Sequence, residues 1–181
     1  VAVCQTGRDL FVPLVVVRLP ERAMAEMLRR TLFPGRPYTI VTLPALRKAI
    51  QSSMIVEREQ INQVHTLEPA AYRPVINVMV QPGDAPFRHE IRLQDRVIAA
   101  AGINWKTDRL ADMYVYTIPD AQGRGWAKAV GAACVQKLLS VKLLPMFTVS
   151  AENVAAQGLA ETLGFRDRGA REYECRGQLR T

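Results

Sequence analysis

Pro119-Asp120-Ala121-Gln122-Gly123-Arg124-Gly125-Trp126-Ala127-Lys128 sets a glycine-bearing turn between a β-like run, Ala111 to Ile118, and a helix-like run, Trp126 to Val141. The first run is rich in aromatic and β-branched residues, and the second repeats apolar residues at helical spacing. At a strand-to-helix junction the first backbone N–H groups have no intrahelical partner and the helix dipole adds partial positive charge, so the stretch predicts an anion site. Two common phosphate motifs do not fit it. A P-loop follows its second glycine with Lys-Ser/Thr, whose hydroxyl holds magnesium, whereas Gly125 is followed by Trp126-Ala127-Lys128-Ala129. A dinucleotide fingerprint begun at Gly123 and Gly125 needs a third glycine at position 128, where lysine stands. What survives is Gln-x-x-Gly-x-Ala, at Gln122, Gly125 and Ala127.

A second stretch lies downstream. Met146 to Ala151 reads as a strand, and Asn153 to Phe165 as a helix with both ends marked. Asn153 suits an N-cap, Leu159 and Leu163 share a face, and Gly164 suits the left-handed residue that stops a helix, with Phe165 folding back onto that face. In their motifs and spacing the two stretches resemble the GNAT superfamily of N-acetyltransferases. Gln122, Gly125 and Ala127 match its acyl-CoA-binding motif, and the Asn-x-x-Ala, Leu-x-x-x-Leu-Gly-Phe order matches its second signature. The resemblance covers Val97 to Phe165 and extends loosely through the strand-like Arg171 to Cys175. Phe87 to Leu93 alternates as a strand, Gln94-Asp95 supplies a turn, Val97 to Trp105 returns, and Lys106 to Arg109 turns again into Ala111 to Ile118. That order implies an α/β (α+β) fold with a mixed, mostly antiparallel central sheet flanked by helices.

The first half follows pattern alone. Phe11 to Leu19 is a β-branched run broken by Pro13, Glu21 to Leu32 has helical spacing, and Pro34-Gly35 ends it. Tyr38 to Leu43 and Val75 to Val80 read as strands, Pro44 to Met54 as a helix led by Thr42, and Glu57 to Gln63 as polar helix surface or loop. This is more strand than the family's usual opening of one strand and two helices. The expected organisation is a single domain over 1–181, with an enlarged amino-terminal part, divergent or partially GNAT-like, at 1–80 and an acyl-CoA-binding catalytic core at 87–176.

With 181 residues and 49% hydrophobic composition, the chain can bury one substantial core without a long Pro/Ser-rich linker. Its longest early apolar run, Phe11 to Val17, is far below the roughly 20 residues of a membrane span. Cys4, Cys134 and Cys175 are odd in number and scattered, which suits a reducing cytoplasm, and Cys134 shares a helical face with Val130 and Leu138 as core filling. His65 and His89 lie far apart without ligand-spaced partners, so no metal is expected. The net charge of +7 permits an anionic partner, but basic residues are spread out and no run of them interleaves with aromatics, which argues against nucleic acid.

The resemblance implies acetyl-CoA as cosubstrate and a small-molecule or peptide primary amine as acceptor. On that basis the backbone N–H groups of Gly123, Arg124, Gly125, Trp126, Ala127 and Lys128 cradle the pyrophosphate, Gln122 shapes the loop, and Arg124 and Lys128 meet phosphate. The backbone of Tyr116, Thr117 and Ile118 pairs with the pantetheine arm, an N–H near Tyr116 stabilises the oxyanion, and Asn153 lies near that arm. Asp112 occupies the place of the family's glutamate base; the plain alternative is a strand-edge aspartate facing solvent. The family's tyrosine acid falls at Ala160, leaving Tyr114, Tyr116 or Tyr173 to substitute, or no dedicated acid at all. Trp105, Tyr114 and Phe147 are candidates either for pocket lining or for core. Two other readings stay open: a degenerate GNAT module that binds acyl-CoA, or nothing, without catalysis, and a basic nucleic-acid-binding protein. The class permits a homodimer, which no residue pattern specifies.

Overall fold

Along residues 2–4 and 11–180, which this computed structural model describes, the chain runs β1 (Ala2–Cys4), β2 (Leu14–Val16), α1 (Glu21–Thr31), β3 (Pro37–Thr42), α2 (Arg47–Ser53) and β4 (Met54–Leu67). It continues β5 (Gln81–Pro82), β6 (His89–Leu93), β7 (Arg96–Lys106), β8 (Leu110–Thr117), α3 (Trp126–Ser140), β9 (Leu144–Ser150), α4 (Val154–Thr162) and β10 (Phe165–Leu179). It divides into two compact units. One spans Val64–Gly169, and the other joins the residues up to Gln63 with those from Ala170 onward.

The unit over Val64–Gly169 carries the motifs. Its strands lie in the order β9-β8-β7-β6-β5, antiparallel except for the parallel pair β8 and β9. Gln94 and Asp95, at φ 48° and 63°, form the expected two-residue turn between β6 and β7; left-handed backbone at both positions matches the twist of the hairpin. Helix α3 buries Ala129, Val130, Ala132, Cys134, Val135 and Leu138 in a core shared with Met113, Phe147, Leu163 and Phe165. Phe165 folds back as expected and meets Phe147 with ring centroids 5.8 Å apart, so Phe147 is core and not pocket lining. Gly164, at φ 93°, ends α4, and a Cβ there would sit 2.8 Å from the Tyr72 backbone nitrogen.

In the other unit β1-β2-β3-β10 are neighbours and β10 also adjoins β4; β2 and β3 run parallel, and β1 with β2 and β3 with β10 antiparallel. Met24 and Leu28 of α1 and Ile50 of α2 close its core over Val15, Ile40 and Tyr173. Three sequence expectations change here and at its border. Glu57 to Gln63 is neither helix nor loop but part of β4. Its polar side chains serve bonds to β10 and α2: Tyr173 donates to Glu59 at 2.6 Å, Asn62 to Glu174 at 2.9 Å, and Arg47 of α2 pairs with Glu59. Pro44 to Leu46 is a 3₁₀ turn before α2, and Thr42 caps nothing, since its buried hydroxyl donates to the Val17 carbonyl at 2.8 Å. Val75 to Val80 is irregular. Only its ends pack on the core, while Ile76 and Val78 are 95% and 97% exposed and Asn77 turns the chain by accepting from the Met79 N–H.

The Tyr173 phenol is expected to be the most sensitive polar group of this unit. Burial, then its bond to Glu59, pushes its pKa up, and the same bond, with Arg47, holds the Glu59 carboxyl below its ordinary value. Tyr173→Phe is expected to lower stability by about 2 kcal/mol in denaturant unfolding, the range of a hydrogen bond to a charged acceptor. Because the folded Glu59 value is depressed, its contribution is complete above the unfolded value and is lost as pH falls through the folded one, so the variant should also lose stability less steeply in acid.

Candidate functional site

Pro119, lacking an N–H, ends β8, and Pro119 to Ala121 make one 3₁₀ turn, with the Gln122 N–H on the Pro119 carbonyl at 3.1 Å. Gly123 and Gly125 then both take φ 75°, a left-handed conformation that costs an L-residue about 1–2 kcal/mol. A Cβ at either would meet nothing within 4 Å, so the glycines serve backbone shape and not space. Gly125 is the N-cap of α3 and no side chain caps that end. The N–H groups of the first turn therefore face outward, flanked by the exposed Gln122, Gly123, Arg124 and Lys128 and the half-buried Trp126 and Ala127. Arg124 lies 5.4 Å over the Trp126 ring, which holds its charge beside the helix end.

The parallel ladder between β8 and β9 ends at Met113↔Phe147, although β8 continues to Thr117 and β9 to Ser150. On its other edge β8 stays paired to β7 as far as Thr117↔Ala99. The backbone groups of Tyr114 to Thr117 directed toward β9 thus have no strand to bond, at the end of β8 that leads into the α3 turn. The Thr117 hydroxyl is buried without a hydrogen-bond partner among the described residues. A long, narrow ligand with amides to pair and an anionic end fits this gap and the uncapped helix.

Asp112 lies two residues before the gap and is 4% exposed, which removes the solvent-facing alternative. Its Oδ1 accepts from the Thr148 hydroxyl and its Oδ2 from the Asn104 amide, both at 2.8 Å. The register of β7 on β8 shifts between Ile103 and Trp105, leaving Asn104 as the extra residue of a bulge, which re-aims its side chain onto Asp112. Along β8, residues 111, 113 and 115 face α3, so Asp112, Tyr114 and Tyr116 share the opposite face. Tyr116 is half exposed there. Tyr114 points across Gly102 toward β6, its phenol accepting from Arg88 Nη1 at 3.0 Å. Tyr173 belongs to the other unit and is committed to Glu59, while Ala160 is buried in α4 and brings no hydroxyl.

Asn153 accepts the Ala156 N–H at 3.0 Å and caps α4. Asn153→Ala is expected to lower the stability of the protein by about 1 kcal/mol, with Asn153→Asp near wild type, as read by thermal unfolding. Asn104, Thr148 and Arg88 escape sequence reasoning because only strand register brings them to β8. Burial pushes the Cys134 thiol up to about 12, which fits core filling, and burial lowers His89. Among the described residues no cluster could hold a metal ion, and no helix is long and apolar enough to cross a membrane.

No curated protein sequence matches the chain. Among solved structures, a GNAT-family protein from Novosphingobium aromaticivorans superposes with a TM-score of 0.75 at 15% identity, covering 98% of this chain and 92% of that one. A GNAT-type N-acetyltransferase from Kribbella flavida gives 0.65 at 15% identity, covering 99% and 91%, and one from Sphaerobacter thermophilus gives 0.60 at 11%, covering 98% and 75%. These likenesses establish the mixed, mostly antiparallel sheet flanked by helices. The sequence profile of the Acetyltransferase (GNAT) family matches residues 54–165, from the start of β4 to the start of β10, with the glycine turn, the strand gap and Asp112 inside it, and the chain belongs to that family.

Proposed function

We propose that the protein is an N-acetyltransferase that moves an acetyl group from acetyl-CoA to a primary amine of a small molecule or peptide, by direct attack in a ternary complex. The observation that carries this reading is the end of the β8–β9 ladder at Met113↔Phe147, beside an α3 whose first turn is uncapped. When bound there, acetyl-CoA supplies an acetyl group activated as a thioester. The N–H groups from Gly123 to Lys128 hold its pyrophosphate, with Gln122 shaping the turn and Arg124 and Lys128 adding charge. The strand edge at Tyr116, Thr117 and Ile118 pairs with pantetheine amides, and an N–H near Tyr116 faces the oxygen on which negative charge develops.

Asp112 takes the proton of the attacking ammonium, directly or through one water. The bonds from Asn104 and Thr148, one to each oxygen, hold the carboxylate in a fixed orientation beside the strand gap. Ala160 brings no hydroxyl; either the half-exposed Tyr116 phenol, on the face that carries Asp112, protonates the departing thiolate, or the thiolate leaves without a dedicated donor. The thiols of Cys134 and Cys175, free and buried, suit work in a reducing cytoplasm. Calorimetric titration with acetyl-CoA, followed by a screen of primary amines for acetyl transfer, tests the reading. Micromolar binding with turnover is expected. Binding without turnover for any amine would favour a degenerate acyl-CoA module, and absence of binding would overturn both.

A further inference from the structure

Glu90 is 2% exposed on β6, opposite Ala100 and across β7 from Tyr116. Two arginines hold it: Arg88 Nε donates to one carboxylate oxygen at 2.8 Å and Arg92 Nε to the other at 2.6 Å. Burial works against the charge, but the two guanidinium bonds outweigh it and keep the carboxyl below its ordinary value. A buried ion pair is a poor device for stability alone, because apolar residues of the same volume commonly do as well. What this one achieves is placement. With Nε fixed by Glu90 and Nη1 donating to the Tyr114 phenol at 3.0 Å, the Arg88 fork has one orientation, and its Nη2 bonds nothing among the described residues. The Arg88 side chain is 29% exposed, which leaves the guanidinium partly accessible to a ligand. Arg92 directs its Nη1 to the Asp95 carbonyl instead.

The direction of Tyr114 ties this cluster to the site. A Cβ on Gly102 would lie 2.7 Å from the Tyr114 phenol oxygen, so the ring can cross β7 only because position 102 has no side chain. Arg88 is thereby anchored on the sheet face that carries Asp112 and Tyr116. Two cations around one carboxylate leave net positive charge at one side of that face, and Asp112 supplies negative charge at the other. An acceptor with an ammonium at one end and an anion at the other would meet both.

Span decides which acceptor. The Tyr114 phenol that holds the Arg88 guanidinium lies over Gly102 of β7, so from the gap beside β8 to that guanidinium is more than one strand spacing, beyond roughly 5 Å. An α-amino acid separates its nitrogen from its carboxylate carbon by only ~2.5 Å, whereas an extended six-carbon ω-amino acid separates them by ~8 Å and leaves room for a hydrogen bond at the far end. We propose that Arg88, positioned by Glu90 and Tyr114, binds the carboxylate of the acceptor and makes the protein selective for ω-amino carboxylates such as ε-aminocaproate or the side-chain amine of free lysine. This rests on the amine-transfer reading for its purpose, but the binding itself can be measured without turnover.

Calorimetric titration of ε-aminocaproate, hexylamine and glycine into the intact protein, with and without CoA, gives that measurement, beside Arg88→Met and Arg88→Lys. We expect ε-aminocaproate to bind about tenfold or more tightly than hexylamine or glycine, as a charge-assisted bond implies. That preference should collapse toward one in Arg88→Met and shrink in Arg88→Lys, which keeps a cation on Glu90 and guards against a loss caused by misfolding; thermal melting checks both. Where turnover is seen, the KM for ε-aminocaproate should follow the same order. Equal binding of ε-aminocaproate and hexylamine, no binding of ε-aminocaproate, or a preference that survives in Arg88→Met overturns the proposal. If hexylamine is acetylated and ε-aminocaproate gains nothing, the Arg88 assignment fails alone. If the carboxylate preference holds and acetyl-CoA does not bind, the transfer reading fails and the Arg88 site stands.

Discussion

Gly125→Glu is expected to weaken acetyl-CoA binding at least a hundredfold while leaving the protein folded. The two effects separate because they arise from different features of one position. A Cβ at Gly125 meets nothing within 4 Å, so the side chain is accommodated, and the strain of φ 75° costs about 1–2 kcal/mol. A carboxylate at the end of an uncapped helix recovers about 0.3–1 kcal/mol from the dipole, so the melting temperature should fall only slightly. The same carboxylate then occupies, with the wrong sign, the place where pyrophosphate would meet the N–H groups of Trp126, Ala127 and Lys128. Gly125→Asn is the contrasting variant, since asparagine tolerates left-handed backbone and carries no charge. Calorimetry with acetyl-CoA should place it within about tenfold of wild type, on the scale of one adjusted hydrogen bond. Equal losses in both variants would mean that loop shape, and not anion attraction, governs binding.

How much of this was legible in the sequence follows from how local each feature is. The glycine turn, the Asn153 cap, the Gly164 stop and the Gln94-Asp95 hairpin are each decided by residues a few positions apart, and all stand as expected. The polar strand at Glu57 to Gln63 is decided by what faces it. Glu59 is a strand residue because Tyr173, more than a hundred positions on, and Arg47 complete its bonds, and no window of sequence contains both strands. Val75 to Val80 misleads in the opposite way: its β-branched residues read as a strand, yet among the described residues no strand pairs with it, and Asn77 turns the chain. At the site, Asp112 was visible by its place before the loop. What holds it was not, because a bulge in β7 and the first residue of β9 beyond its ladder with β8 supply Asn104 and Thr148.

Those two donors make Asp112 the position where chemistry and stability have to be told apart. Asp112→Asn keeps the volume: its oxygen can accept from the Asn104 amide and its NH₂ can donate to the Thr148 hydroxyl, which accepts as well as donates. The expected stability cost is about 0.5–1.5 kcal/mol, together with a fall in kcat of about 10²–10⁴-fold if the carboxylate is the base. Thr148→Val removes the Oδ1 bond from the other side with similar volume, and so inflicts a structural loss at least as large while leaving the carboxylate in place. The size of the activity loss separates the roles. Turnover should collapse in Asp112→Asn and stay within about tenfold of wild type in Thr148→Val, because only the first removes the carboxylate. If Thr148→Val loses as much activity as Asp112→Asn at matched stability, Asp112 is a clamp that ties β7 and β9 to β8 where the strands begin to part, and the proton leaves the amine by another route.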